Sequence, residues 1–319
     1  MMAGRRKWLQ LGVLAALIVL LPLFFPSGYY YRVGALIFVN ALSVVGLVIL
    51  IGYAGQISLG HAGFAGIGAY ACALAPQHLG LHPGLAMLLG ALISGVVALL
   101  IGRPILRLKG YYLAVATLGF GILMSMVLTN ERALTGGPDG MSVEDLGLRA
   151  MLRELGWRLS GGEMWYGVSG IALLIGAWVA LNLLDSPSGR AMRALHGSEI
   201  AASTVGIDIA RQKLRAFVIS AVYASIAGSL LALQNGFITP DVAGFMHSIE
   251  MVTMAVLGGV GSVFGGILGA AILTFLPQLL TVFAEYEQLV LGAVMILVMI
   301  FLPQGLLPSI GRRIGRKGE

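Results

Sequence analysis

The amino-acid sequence predicts an all-α, polytopic membrane protein with about ten transmembrane helices. Of its 319 residues, 58% are hydrophobic and 11% are charged, whereas charged residues make up about a quarter of a soluble domain. The mean hydropathy is +0.92, and the apolar residues form long runs without the two-residue alternation of a transmembrane barrel. We therefore expect a single transmembrane domain that covers residues 1–319.

Ten apolar runs are candidate spans. The first follows three basic residues, and no small-x-small cleavage site precedes Pro26, so we expect a retained helix rather than a cleaved signal peptide. The eighth run is shorter than the others. In chain order, the runs cover residues 8–25, 33–51, the segment that ends at 75, 84–102, 111–129, 166–184, 214–233, 249–257, 263–280 and 289–302.

The basic residues predict the orientation of these spans. If the N-terminus is cytoplasmic and ten helices alternate, fifteen of the 20 lysines and arginines lie on the cytoplasmic side. Four of the other five fall in one long loop, where charge is a weak topological signal. We therefore expect both termini in the cytoplasm. The net charge of +6 is then explained by contact with membrane lipid, and no nucleic-acid partner is expected.

Two hydrophilic loops are long enough to have functions of their own. Residues 130–165 should form an extracytoplasmic loop, with a turn at 136–140 and a short amphipathic helix around 146–159. This loop could be a docking surface for an external partner or a plain connection. Residues 185–213 should form a cytoplasmic loop that is helical from 189 to 205 and stops at Gly206. This second loop could contact a soluble cytoplasmic partner or, as a basic segment, merely fix the topology.

A glycine-rich stretch, GYAGQISLGHAGFAGIGAY at residues 52–70, interrupts the apolar pattern between the second and third runs. It contains six glycines and places Gln56, Ser58 and His61 at membrane depth. Backbone and side-chain polar groups in hydrocarbon must be buried in protein or line a wet cavity. The stretch therefore predicts a broken helix whose polar groups have a specific role.

Two glycine series favour close helix packing over ligand contact. Glycines recur at every third position in the first series and form two overlapping Gly-x-x-x-Gly units in the second. The first series is Gly60, Gly63 and Gly66, and the second is Gly261, Gly265 and Gly269.

Several motifs are absent from the sequence, and their absence excludes function classes. There is no phosphate-binding loop, no His-Glu-x-x-His motif, no grouping of Cys and His with metal-ligand spacing, and no nucleophile paired with a base. We therefore expect no metal site, no cofactor and no enzymatic activity. A secondary transporter would usually carry ionisable residues in mid-span, and the central runs contain almost none.

The stretch at 52–70 resembles the signature of the LivM-type permeases of branched-chain amino acid ABC importers. Further segments agree with this resemblance, which extends over about residues 33–305. These segments are 108–120 (LKGYYLAVATLGF), 134–141 (LTGGPDGM), 189–195, 199–207, 213–221 and 257–270 (LGGVGSVFGGILGA).

The resemblance implies a type II ABC importer permease fold in the bacterial cytoplasmic (inner) membrane. It implies that the chain forms, with a second homologous permease subunit, the translocation path for branched-chain (hydrophobic) amino acids. Two cytoplasmic ATP-binding subunits would supply the energy and bind the ATP, and an extracytoplasmic substrate-binding protein would deliver the amino acid. A permease for urea, amides or another small carboxylate is the alternative within the same superfamily.

The resemblance also assigns roles to residues. The inner loop is similar to the EAA-like coupling segment that ABC permeases press against the ATPase, although Glu199 stands two places before Ala201 and the trailing Leu-Pro is missing. The coupling candidates are Arg190, Glu199, Ala201, Ala202 and Gly206. Candidates to line the substrate path are Gln56, Ser58 and His61, with Asn40 and Thr117 as weaker ones. The alternative is that these polar groups bind neighbouring helices and hold the broken helix together.

Overall fold

The long apolar runs fold into helices in the computed structural model, which describes residues 2–154, 156, 159–279, 292, 293, 296, 300, 305 and 306. Each of the first nine predicted runs corresponds to one α-helix. The tenth run, 289–302, lies mostly outside the described residues. The predicted all-α, polytopic fold class is confirmed.

The described residues contain thirteen α-helices, numbered in chain order. They are α1 Met2–Leu20, α2 Gly28–Val48, α3 His61–Leu79, α4 Pro83–Ile105, α5 Tyr111–Asn130, α6 Arg132–Thr135, α7 Leu148–Glu154, α8 Gly161–Asp185, α9 Pro187–Gly197, α10 Glu199–Thr204, α11 Ile209–Asn235, α12 Phe245–Gly258 and α13 Val263–Leu279. Two short strands, β1 Met141–Ser142 and β2 Phe237–Ile238, pair antiparallel.

Six of these helical segments are long and apolar enough to cross a membrane by length and composition. They are Lys7–Phe24, Gly28–Tyr53, Pro83–Ile105, Tyr111–Asn130, Gly161–Asp185 and Ile209–Asn235. Helices α12 and α13 are apolar but shorter. Helix α12 is short because Gly244 precedes it and Gly259, with φ +107°, ends it.

Helices α2, α3 and α11 form the centre of the fold. In the apolar windows of α2 and α11, 72% of the residues are buried, compared with 22% for α4 and 17% for α1. Since the apolar windows of α1 and α4 contain few polar residues, their exposed faces suit contact with lipid rather than with water. The chain therefore wraps peripheral, lipid-facing helices around a packed central group.

Helices α3 and α11 cross with their backbones in direct contact. A Cβ atom added at Gly228 of α11 would collide with the carbonyl group of Ala65, and one added at Gly68 of α3 would collide with that of Ser225. The hydroxyl of Ser229 donates a hydrogen bond of 2.9 Å to the carbonyl oxygen of Gly68 across the same crossing. Small residues permit this approach, as is usual between membrane helices.

The loop at 130–165 is more structured than the sequence predicts. Strand β1 in this loop pairs with β2, so that Met141 lies opposite Ile238 in the segment after α11. The predicted amphipathic helix at 146–159 is shorter, since α7 ends at Glu154. Helix α8 begins earlier than the predicted span, because Ser160 and Glu163 form a capping box that fixes its first turn.

The prediction of one continuous helix over 189–205 is wrong. The segment forms two helices, α9 and α10, which separate at Ser198. The side chain of Ser198 accepts a hydrogen bond from the backbone N–H of Ala201 and so begins a new helix there. Gly206 follows α10 with φ +80°, in agreement with the predicted stop. We call residues 187–206, which contain the residues that the resemblance assigns to coupling, the coupling segment.

Candidate functional site

The break between α2 and α3 is the centre of the candidate site. Helix α2 widens into one π-helical turn, Ile49–Tyr53, and the chain then runs without regular structure until α3 begins at His61. We call residues 54–60 the junction. Two backbone hydrogen bonds connect the first part of the junction to the π turn. Ala54 N–H donates to the Ile49 carbonyl (3.2 Å), and Gln56 N–H donates to the Leu50 carbonyl (3.1 Å). Single π turns are frequent at functional sites.

His61 connects the junction to α11. Its Nδ1 lies 2.8 Å from the hydroxyl of Ser58, and its Nε2 lies 2.5 Å from the hydroxyl of Ser220. The imidazole is fully buried, and the rings of Phe64 and Phe217 pack edge-on against it. In this conformation, Ser58 and His61 therefore hold the start of α3 against α11.

Two further hydroxyls bind backbone N–H groups at the start of α3, where a helix leaves donors without intrahelical partners. The Thr117 hydroxyl of α5 accepts a 3.1 Å hydrogen bond from Leu59 N–H, and the Ser248 hydroxyl of α12 accepts one of 3.1 Å from Ala62 N–H. The end of the junction is thus bound to α5, and the first residues of α3 are bound to α11 and α12. The sequence identified Thr117 but missed Ser220 and Ser248.

Gln56 and Asn40 differ from the other predicted path residues. Gln56 is buried, and neither atom of its side-chain amide has a hydrogen-bond partner among the described residues. Asn40 instead donates a 3.0 Å hydrogen bond to the hydroxyl of Thr274 in α13. The structure therefore brings Ser58, His61 and Thr117 together around the junction and gives Asn40 a separate partner.

The first glycine series faces α5 and the 3-10 turn Pro240–Ala243. A Cβ atom at Gly63 would lie 3.2 Å from the ring of Phe120, and one at Gly66 would lie 2.6 Å from the Cβ of Ala243. A Cβ at Gly60 would collide with the carbonyl group of Thr117. The positions of Gly60 and Gly66 leave no room for a side chain, and a side chain at Gly63 would require the neighbouring side chains to shift by a few tenths of an ångström.

The prediction for Gly261 is wrong. Gly261 is exposed, and nothing lies within 4 Å of where its Cβ would be, because it precedes the first residue of α13 and so cannot share a helix face with the other two glycines. Gly265 and Gly269 do pack closely against the backbone of α12, both at Gly258 and, for Gly269, also at the Met254 carbonyl. A Cβ at Gly265 would lie 2.7 Å from the carbonyl oxygen of Gly258, and one at Gly269 would lie 2.7 Å from its nitrogen.

The coupling segment is anchored to the membrane helices through its inner face. Met192 and Leu195 of α9 and Ala202 of α10 are buried, and Glu199 forms an ion pair of 2.5 Å with Lys213 of α11. The Lys213 side chain is only 7% exposed, compared with 37% for Glu199. An unpaired charge at Lys213 would be unfavourable, so this pair fixes α10 to the start of α11.

The outer face of the coupling segment carries the groups that a partner could contact. Ile200 is 79% exposed and Val205 is 73% exposed, with Ala201 exposed between them. Arg190 is also exposed, and its guanidinium donates a 2.9 Å hydrogen bond to the Asp185 carbonyl. The sequence did not single out Ile200 and Val205, although two large apolar residues within a polar segment were a usable signal.

The coupling segment also contacts the junction directly. A Cβ atom at Gly55, where φ is +66°, would lie 3.0 Å from Nδ1 and 3.6 Å from Cα of His196 in α9. A displacement of α9 toward Gly55 would therefore meet the junction backbone. The same junction is bound through His61 to α11, which the Glu199–Lys213 pair links to α10.

Ser220→Ala should destabilise the protein by about 1–3 kcal/mol, because it leaves the buried Nε2 of His61 without its partner. Ser94→Ala is the matched control, since Ser94 is equally buried in α4 and its hydroxyl has no partner among the described residues. Thermal denaturation of the purified variants measures the difference. Equal midpoints would show that the His61–Ser220 contact contributes nothing to stability.

Residues 29–299 match the family model described as branched-chain amino acid transport system, permease component. The high-affinity branched-chain amino acid transport system permease proteins LivM of Salmonella typhimurium and of Escherichia coli are each 38% identical over an alignment of 282 residues that covers 83% of this chain. The chain spans 66% of the length of these LivM relatives. LivH of Escherichia coli is 29% identical over an alignment of 283 residues that covers 84% of this chain and 90% of LivH. No solved structure matches the chain.

Proposed function

The chain belongs to the family of branched-chain amino acid transport system permease components, and we propose that it is a permease subunit of an ABC importer for branched-chain (hydrophobic) amino acids. It is a multi-pass membrane protein. The observation that carries the proposal is the family match over residues 29–299, supported by the similarity to LivM. Similarity to LivH, a second permease protein, supports a homologous permease partner with which the chain encloses the path.

The work of transport is divided among several subunits in this proposal. Two cytoplasmic ATP-binding subunits bind the ATP, because the sequence contains no phosphate-binding loop. This chain is then neither an enzyme nor the holder of a cofactor. An extracytoplasmic binding protein delivers the amino acid and supplies the affinity, so the permease path needs few strong ligands. Both termini lie in the cytoplasm of a bacterium, and the domain sits in the inner membrane.

The coupling segment is the proposed contact with an ATP-binding subunit. Its exposed apolar residues, Ile200 and Val205, fit a groove on a soluble partner, and Ala201, Gly206 and Arg190 are exposed as well. Ala202 and Glu199 act from the inner side, by anchoring α10. The free energy of ATP binding would then reach the junction through His196 at Gly55 and through α11 at His61.

We propose that the junction is the part of this subunit that changes conformation beside the substrate path. Ser58, His61 and Thr117 position it, since each has protein partners. Gln56 is the strongest candidate to contact the amino acid, because its buried amide has hydrogen-bonding capacity that the described residues do not use. Asn40, bonded to Thr274, acts in helix packing.

Uptake of radiolabelled L-leucine into proteoliposomes that contain the complete importer tests the proposed function. Uptake should require ATP and the binding protein, and unlabelled L-isoleucine and L-valine should compete. Urea and acetamide should not compete. Competition by urea or acetamide, without competition by L-isoleucine, would replace the proposed substrate class with the alternative one.

A further inference from the structure

A cavity of about 370 Å³ lies where α8 begins and α11 ends. Its walls come from the start of α2, the segment around α7, the first turn of α8 and the last turn of α11. Sites for small molecules are usually clefts of about 300–1,000 Å³. The cavity therefore has the size of a site for a small ligand, and it is separate from the residues of the junction and the coupling segment.

Three charged residues line this cavity: Arg32, Asp145 and Arg149. None of them forms an ion pair within the part of the chain that the structure describes. Two guanidinium groups suit a carboxylate, which they bind through short, charge-assisted hydrogen bonds. The single carboxylate of Asp145 suits a cation. The three side chains thus present charges of both signs to the same small volume.

Two helix ends that line the cavity also carry partial charges of opposite sign. The first turn of α8, at Gly161 and Gly162, brings the positive end of a helix dipole to one wall, and the Glu163 carboxylate of the capping box offsets part of it. The last turn of α11, at Asn235 and Gly236, brings the negative end of another. Gln234 donates through Nε2 to the Arg32 carbonyl (3.3 Å), while its buried Oε1 has no partner among the described residues.

The remaining surface of the cavity is apolar. Trp165 and Met164 line it, and both are buried against the fold. A flat indole and a thioether give an apolar ligand group a surface to pack on without a hydrogen-bond requirement. The cavity therefore combines a cationic part, an anionic part and an apolar wall.

We propose that this cavity binds a free α-amino acid in its zwitterionic form. The carboxylate lies between Arg32 and Arg149, the ammonium group lies near Asp145 and Gln234, and the side chain packs on Trp165. The choice of an amino acid over another zwitterion rests on the proposed function. The site is additional to the path through the junction and lies at the end of the fold where β1 and β2 pair.

The test measures L-leucine binding by isothermal titration calorimetry to the permease complex in lipid nanodiscs, without binding protein and without ATP. 4-Methylpentanoate, which lacks the amine, and 3-methylbutylamine, which lacks the carboxylate, should each bind at least about tenfold more weakly than L-leucine. Arg149→Gln and Asp145→Asn should each weaken L-leucine binding by at least about tenfold. Arg153→Gln in the same helix and Glu144→Gln, which do not line the cavity, should leave binding unchanged.

Arg149→Lys separates a charge effect from misfolding, since it should retain part of the affinity that Arg149→Gln loses. Absence of L-leucine binding, or binding that Arg149→Gln and Asp145→Asn leave intact, would overturn the proposal. Equal binding of 4-methylpentanoate and L-leucine would overturn the zwitterion assignment. Glycine, titrated in parallel, distinguishes failure of this proposal from failure of the proposed function. If glycine binding depends on Arg149 and Asp145 but the importer does not take up L-leucine, the cavity is an amino acid site and the proposed transport substrate is wrong.

Discussion

Gly228→Ala is expected to destabilise the protein by about 3 kcal/mol, because the added methyl group would collide with the backbone carbonyl of Ala65 at the crossing of α3 and α11. A flexible side chain can rotate away from such a collision, but a helix backbone cannot. The two central helices must therefore separate, and the hydrogen bond from Ser229 to Gly68 is lost with them. The fall in thermal midpoint and in folded yield, measured by size-exclusion chromatography after heating, gives the effect.

Gly95→Ala is the control for this change. The nearest atom to a Cβ at Gly95 is Cγ2 of Val222 at 3.6 Å, an ordinary van der Waals distance. Alanine is favoured over glycine inside a helix by up to about 1 kcal/mol, so this variant should be neutral or more stable. If Gly228→Ala also proved neutral, the close crossing of α3 and α11 would be wrong.

Gly55→Ala is expected to uncouple ATP hydrolysis from transport. Alanine at this position would adopt an unfavourable positive φ and would press on His196 of α9, so the junction and the coupling segment could no longer meet in the same way. A change of about 1.4 kcal/mol in the coupling free energy corresponds to a tenfold change in the coupling constant between the two sites. The complex should therefore assemble and hydrolyse ATP, while leucine uptake per ATP falls about tenfold.

Gly80→Ala separates the two effects, because Gly80 has a similar φ of +62° but nothing lies within 4 Å of its Cβ position. It should lower stability without lowering the ratio of uptake to hydrolysis. Adding His196→Ala to Gly55→Ala removes the nearest atom and should restore part of the coupling. Equal loss of coupling in Gly55→Ala and Gly80→Ala would mean that backbone strain alone, and no contact with α9, explains the result.

The sequence was sufficient to predict the helical spans, because an apolar run of the right length has few alternatives in a membrane. It also placed the junction, since polar residues and glycines between apolar runs are rare. It failed at Ser198, where the helical pattern continues on both sides and a single side-chain hydrogen bond to Ala201 decides that the helix restarts. Such local competition leaves little trace in periodicity.

The hydrogen-bond partners of the site residues could not be predicted from the sequence, for a different reason. His61 bonds to Ser220, and Ala62 N–H bonds to Ser248, across helices that are far apart in the chain. A serine within an apolar helix is recognisable, but its partner depends on which faces meet. Gly261 shows the same limit of sequence patterns. Its spacing fits a packing motif, but α13 begins after it, so Gly261 does not lie on the packed face of that helix.

The β1–β2 pairing has a consequence for the order of folding. Met141 and Ile238 come from distant parts of the chain, so their ladder can close only after the intervening helices have been synthesised and brought together. The walls of the cavity follow the same order, since Arg149 precedes α8 and Gln234 ends α11. The charged residues at 145 and 149 are therefore synthesised before the cavity can form, and the cavity is completed only after the end of α11 has been synthesised.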